Sequence, residues 1–195
     1  MKNVANFLFE TCMLQKTPRS GFQFLGSGKE SVAEHTLAVI FVAYVLGKLD
    51  GTVDEERLMK MCLFHDLPEA RTGDMNYVNK KYVTVDEEQA IEDLLDGLPF
   101  NKEIKELMSD YNSKSSNEAI LAHDADQLSL LLKLRECKDF GNKYSDEWFV
   151  FAEKRLVSDV AKKLADTIRG TDSSDWWFGG NKDKSDWWIN GNNKK

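Results

Sequence analysis

The sequence predicts an all-α fold, a compact helical bundle that ends in a tryptophan-rich tail. Apolar residues recur at helical spacing along most of the chain, and capping side chains and glycines punctuate those stretches. The nearest approach to a period-2 strand, Tyr82–Val85, is four residues long. With 195 residues, 42% hydrophobic and 30% charged, the chain can bury a core without disulfide or metal staples. We expect one domain over 1–170 and a tail over 171–195.

Taken in order, Val4, Phe7, Leu8 and Leu14 predict a first amphipathic helix ending near Lys16. Residues 17–29 hold Pro18 and three glycines and read as an ordered loop. Ser31 to Leu49 reads as a helix apolar nearly all round (Val32, Leu37, Val39, Ile40, Phe41, Val42, Val45, Leu46), the pattern of a central, buried helix, stopped by Gly51. Thr52 with Glu55 reads as a capping box opening a helix that carries Leu58, Met61, Cys62 and His65. Pro68 forces a turn near Asp66–Leu67 and a new short helix. Thr84 with Glu87 repeats the capping box, on a helix ending at Gly97. Further helices are expected at 101–111, 116–138 and 146–169. The last carries Phe149, Ala152, Leu156, Val160, Leu164 and Ile168 on one stripe and stops at Gly170.

The tail holds four of the five tryptophans, and Ser-Asp-Trp-Trp occurs twice, at 174–177 and 185–188. Exposed Trp pairs are adhesive, so we expect them to dock on the domain's own surface or on a second subunit.

Lys and Arg number 26 against 33 Asp and Glu, a net charge of −7 that repels a nucleic acid polymer but leaves room for a small anionic ligand held by a few local cations. Cys12, Cys62 and Cys137 form no CxxC pair and read as buried, reduced thiols. The first residues lack signal-peptide form, and the longest apolar run, Leu37–Leu46, spans ten residues, half of what a bilayer requires. These features predict a cytoplasmic protein with no membrane partner.

The chemistry is concentrated. Among the three histidines, His35 lies in the apolar helix and His65 ends another helix as His65-Asp66, followed by Glu69 and Asp74. Burying several carboxylates without a cation is costly, and a divalent metal resolves that cost; imidazole with carboxylate suits Mn²⁺, Co²⁺, Fe²⁺ or Zn²⁺. A further ligand is available in Ala122-His123-Asp124-Ala125-Asp126. Asp124 and Asp126 lie about 200° apart around a helix and cannot serve one site. Leu130 and Lys133–Leu134 continue the Asp126 face, so Asp126 is the expected ligand and His123 a neighbour. A second ion at His123-Asp124 stays open.

Glu34-His35, His65-Asp66 and Asp126 resemble the H…HD…D signature of the HD-domain metal-dependent phosphohydrolases. The ordered set Arg19, Ser31-Val-Ala-Glu-His35, His65-Asp66-Leu-Pro-Glu69, Thr72-Gly-Asp74, Lys80 and Ala125-Asp126 is similar to the YfbR-like 5′-deoxynucleotidases over about residues 3–168. That resemblance implies an all-α homodimer that removes phosphate from deoxyribonucleoside 5′-monophosphates with Co²⁺ or Mn²⁺, with Mg²⁺, Fe²⁺, Zn²⁺ or Ni²⁺ as alternatives. It implies His35, His65, Asp66 and Asp126 as metal ligands, Glu69 as catalytic acid, Asp74 as the carboxylate placing water, and Arg19 and Lys80 as the phosphate grip. Each residue type suits its role, since arginine binds phosphate oxygens bidentately, lysine acts as a point charge, and a carboxylic acid protonates a leaving oxygen. Glu34 reads as readily as an outer partner or a surface ion pair as a catalytic group, Arg71 as a partner for a carboxylate, and Phe22, Phe24 and Tyr77 as stacking or local packing groups. The alternatives are a triphosphohydrolase, a hydrolase of another small phosphate ester, or a non-catalytic module acting through its tail.

Overall fold

A computed structural model describes residues 1–179. Ten α-helices occur among them: α1 (Lys2–Thr11), α2 (Phe22–Leu25), α3 (Val32–Asp50), α4 (Glu55–Phe64), α5 (Glu69–Thr72), α6 (Glu87–Leu95), α7 (Asn101–Ser113), α8 (Asn117–Asp139), α9 (Ser145–Glu153) and α10 (Asp159–Gly170). No β-strand occurs among the described residues, only a single bridge from Pro18 to Ser31 that clips the loop between α1 and α3. The all-α expectation holds.

The long helices α3 and α8 lie side by side at the centre, with α4 across both and α9 and α10 against α8. Val39, Ala43 and Leu46 of α3, Leu58 and Met61 of α4, and Leu121, Leu128, Leu131 and Leu134 of α8 form the main core. A second core joins Phe7 and Leu14 to Leu94, Leu95, Ile104 and Met108. The two cores flank the turn after α4, where His65 and Asp66 sit.

Several elements differ from expectation for identifiable reasons. The capping boxes at Thr52 and Thr84 do not form. The N-caps are Asp54, accepting from the Arg57 N–H at 3.1 Å, and Asp86, accepting from the Gln89 N–H at 2.9 Å. Aspartate caps as well as threonine and adds negative charge at the positive end of the helix, while Glu55 turns instead to Lys48. The real capping box belongs to Ser31 and Glu34 on α3, so Glu34 fixes the start of the helix that carries His35 and makes no surface ion pair.

The expected helix 146–169 is two helices. Buried Asp124 accepts the N–H groups of Val157 and Ser158, each at 2.8 Å, and Ser158 then caps α10. Leu156 stays buried across the break, which is why the apolar stripe runs through it.

Helix α3 is central but not buried all round. Leu37 (59% exposed), Phe41 (66%) and Leu49 (60%), with Tyr44 and Val45, form an open apolar strip on the face turned away from α4 and α8. Its length and composition would also suit a membrane span, yet its other face is the middle of the core. Cys62 and Cys137 are buried as expected, whereas Cys12 is exposed.

After α10 the chain is tied to the end of α8: Arg135 donates to the Thr171 carbonyl at 2.8 Å, and Asp139 accepts from the Ser173 N–H at 2.8 Å. Trp176 and Trp177 follow, lining a groove with Ala38, Leu132 and Phe140. The expected burial is not seen in this pair, since Trp176 stays 86% and Trp177 42% exposed. The second pair, 185–188, lies outside the described residues.

Candidate active site

A cavity of about 270 Å³ opens between the loop after α1, the turn after α4, and helices α3, α8 and α9. Its floor is polar. Here α3 delivers His35, α8 delivers Asp126, and the end of α4 delivers His65 and Asp66. The turn after α4 is closed by short-range bonds, Leu67 N–H to the Phe64 carbonyl (2.9 Å) and Glu69 N–H to the Asp66 carbonyl (3.1 Å), and at this helix end the side chains of His65 and Asp66 both reach the same cluster.

His35, His65 and Asp126 each offer an atom within 4.8 Å of the others. His35 Nε2 lies 3.1 Å from Asp126 Oδ1 and 3.4 Å from His65 Nε2. Asp66 Oδ2 joins them, 3.2 Å from His65 Nε2 and 3.6 Å from His35 Nε2. Nδ1 of His65 sits 2.8 Å from the Cys62 carbonyl, so it carries a proton and turns Nε2 into the cluster. Nδ1 of His35 faces Ser129 Oγ at 3.4 Å and Glu30 at 3.9 Å, and its Nε2 also points inward. Two ring nitrogens and two carboxylates aimed at one another call for positive charge among them, as bound protons or as a metal ion. That donor set fits a divalent metal, with each imidazole oriented from its far nitrogen as metal-bound histidines are.

The electrostatics show the same demand. Burial disfavours the charged form of His65, but Asp66 and Asp126 outweigh it and raise the imidazole to about 9. Burial would raise Asp66, yet His65, Arg19 and His35 hold it down at about 2. Asp126 is also held below the usual carboxylate range, by His35 and His65 against its burial. Glu69 goes the other way. Burial, then the nearby charges of Asp66 and Asp74, push it up to about 9, and its Oε2 is the one buried side-chain oxygen among the described residues that lacks a hydrogen-bond partner.

Arg19 reaches in from the loop, with Nη1 3.1 Å from Asp66 Oδ2 and 3.5 Å from Asp74 Oδ1. Burial opposes its charge, but Asp66, Asp126 and Asp74 keep it protonated. Asp74 Oδ2 accepts from the Ser20 N–H and hydroxyl, so this carboxylate anchors the loop that aims Arg19. Lys80, on the turn Asn79–Lys81, lines the cavity. Arg19, His35, Asp66, Glu69, Asp74, Lys80 and Asp126 therefore line one cavity, and His65 adjoins it through His35 and Asp66. Arg71 lies apart, paired with Glu10 and Asp93.

The His123-Asp124 pair forms no second site. His123 stacks on Tyr111 with ring centroids 4.0 Å apart and sets its Nε2 2.8 Å from the Tyr111 carbonyl, while Asp124 is engaged with Val157 and Ser158. Phe22 and Tyr77 line the cavity, whereas Phe24 does not. Sequence reasoning missed Glu30, Gln127, Trp148 and Arg155, which also line it. Gln127 donates to Asp126 at 2.8 Å and accepts from Arg155 at 3.1 Å. Its adjacency to Asp126 is the only signal in the sequence that marks any of the four.

Residues 12–168 match the family model described as HD domain. A 5′-deoxynucleotidase of Danio rerio is 32% identical over 166 residues, covering 80% of this chain and 81% of its own. One from Enterobacter sp. (strain 638) is 32% identical over 155 residues, covering 71% and 74%. Among solved structures, a conserved hypothetical protein from Pyrococcus furiosus superposes with a TM-score of 0.71 at 27% identity, covering 86% of this chain and 99% of that one. A metal-dependent phosphohydrolase, so predicted, from Magnetospirillum magnetotacticum shares the fold with a TM-score of 0.69 at 23% identity, covering 87% and 93%. With its paired histidines and carboxylates converging at the end of α4 and the family model spanning most of its length, the chain belongs to the HD domain family.

Proposed function

We propose that this chain is a metal-dependent phosphohydrolase that removes phosphate from deoxyribonucleoside 5′-monophosphates. The observation that carries the reading is the convergence of two imidazoles and two carboxylates beneath a cavity that also holds a charged arginine and a protonated glutamic acid. The names of the relatives support the substrate class. His35, His65, Asp66 and Asp126 would hold one divalent ion, Co²⁺ or Mn²⁺ first among those that imidazole and carboxylate accept. When bound, that ion supplies Lewis acidity to water and to a phosphate oxygen.

The chain's own groups do the rest. Arg19 grips phosphate oxygens with a fork that Asp66 and Asp74 hold in place, and Lys80 adds a mobile positive charge at the rim. Both counter charge that grows in the transition state, in a pocket where preorganised cations act most strongly. Glu69, kept neutral by burial, has a proton to give the departing 5′-oxygen. Asp74 lines the cavity with Oδ1 3.5 Å from Arg19 Nη1, and it is the carboxylate that would orient the attacking water.

We further place the chain in the cytoplasm as a homodimer, the open strip of α3 being the surface that a second copy covers. The functional reading is tested by phosphate release from metal-stripped protein re-supplied with Co²⁺, Mn²⁺ or Mg²⁺, over paired ribo and deoxy mono- and triphosphates, with Asp66→Ala alongside. Orthophosphate from deoxy monophosphates, lost in the variant, is the expected result. Inertness toward every nucleotide with metal present would end the reading.

A further inference from the structure

We propose that Trp148 is the residue that recognises the nucleobase, forming with Phe22, Leu25 and Leu130 an apolar wall on which the flat base lies. The proposal rests on the nucleotidase reading above and assigns the half of the cavity that phosphate chemistry does not use.

The cavity lining holds both polarities. Arg19, His35, Asp66, Glu69 and Asp126 are among its polar groups, while Phe22, Leu25, Leu130 and Trp148 are apolar and all belong to or pack against the main core. A nucleoside 5′-monophosphate also holds both, with a dianion at one end and a planar π-system at the other. Trp148 projects from α9, packs partly against the main core, and turns the rest of its indole to the cavity. The edge of its ring is seated on the backbone of Gly21: a Cβ there would meet Cζ3 at 3.6 Å and Cη2 at 3.8 Å. Gly21 is two residues from Arg19, so one loop fixes both the cation that grips phosphate and the aromatic plane. The two ends of a bound nucleotide are thereby held at a set separation.

Two side-chain amides that line the cavity are already engaged. Gln127 has both ends of its amide committed, to Asp126 and to Arg155. Asn76 has its Oδ1 committed to the N–H groups of Val78 and Asn79, each at 3.0 Å. Recognition on this side therefore comes from the face of the base, and a broad rigid aromatic supplies face contact at little cost in side-chain entropy.

The test compares deoxyadenosine 5′-monophosphate with 2-deoxyribose 5-phosphate, which keeps the phosphate and sugar and lacks the base. Kinetics are run on the Co²⁺-loaded full chain, its Trp148→Leu variant, which keeps apolar bulk against Gly21, and Trp148→Phe, which keeps an aromatic face. In Trp148→Leu the KM for the nucleotide should rise about tenfold, the scale of one lost base–aromatic stack, with kcat and both constants for the sugar phosphate unchanged. Trp148→Phe should restore most of the affinity. An unchanged nucleotide KM, or an equal loss with both compounds, overturns the proposal. A wild-type chain inert on both compounds would sink the hydrolase reading instead. Calorimetric titration with deoxyadenosine then decides the seat alone: binding by wild type that is lost in Trp148→Leu supports it, and identical behaviour of the two overturns it.

Discussion

Loading the site with a divalent ion should release protons, and the count follows from the geometry. In the metal-free chain the Asp66 and Asp126 carboxylates hold the His65 imidazole protonated up to about pH 9. At pH 7.5 that group is about 97% protonated, and a ligating imidazole must be neutral. Binding at His65 therefore expels close to one proton. Apparent affinity should rise about tenfold per pH unit between roughly 7 and 9 and level off above. Glu69, also near 9 in the metal-free chain, keeps its proton in the loaded enzyme if it is the acid, so it should add none to the count. Glu69→Gln checks this, because its count should match that of the unaltered chain. Calorimetry of Co²⁺ binding in two buffers of different ionisation enthalpy gives the number directly. Zero protons at pH 7.5 in Glu69→Gln would refute the arrangement, since it would mean that His65 is neutral before metal arrives. The same shift bears on stability. His65 has its folded pKa raised above the unfolded value, so its contribution of about 3 kcal/mol is fully present below about pH 6.5 and lost as pH rises through 9. Metal-free protein should accordingly weaken toward pH 9 in urea melts, while metal-loaded protein, which no longer needs that proton, should not.

Three further outcomes follow from particular contacts. Glu69→Gln should keep metal affinity and lower kcat by about 10²–10⁴-fold, the usual worth of a positioned proton donor, measured by steady-state phosphate release. Asp124→Ala should cost roughly 2–5 kcal/mol in urea unfolding, because two buried N–H groups, of Val157 and Ser158, lose their acceptor; the metal affinity of the protein that remains folded should match wild type. Phe41→Glu places a charge in the open strip of α3; in analytical ultracentrifugation the unaltered chain should sediment as a dimer and the variant as a monomer.

The helices and the site were legible for one reason, and the errors, apart from the two caps misplaced by two residues, share another. Apolar spacing and Pro68 after His65 are local signals, and local physics set those elements. What escaped depends on partners far along the chain. The break between α9 and α10 is made by Asp124, more than thirty residues earlier, while Leu156 continues the stripe that suggests one helix. Apolar residues all round α3 say that each face wants cover, but not whether this domain supplies it, and the Leu37–Phe41–Leu49 face is left to another surface. Trp148 carries no local mark at all. Its meaning comes from Gly21, which lies on a loop more than a hundred residues away.

The two His-Asp dipeptides show how little a short motif states without its place in a helix. His65-Asp66 falls where α4 ends and the chain turns toward Pro68, free of the regular helix, and there both side chains reach the same cluster, 3.2 Å apart. His123-Asp124 falls inside α8, where consecutive residues diverge by about 100°. There the imidazole goes to Tyr111 and the carboxylate to the backbone between α9 and α10. Identical residues thus make half of a metal site in one location and two unrelated structural ties in the other. Moving the end of α4 by a single residue, with an alanine inserted after Phe64, should abolish metal binding while every proposed ligand is still present. Insertion after Glu118, in the first turn of α8, should instead rotate Asp126 away and also lose the tie from Asp124. If the first insertion retained metal affinity in calorimetry, the position of the helix end would not be what turns this dipeptide into a site.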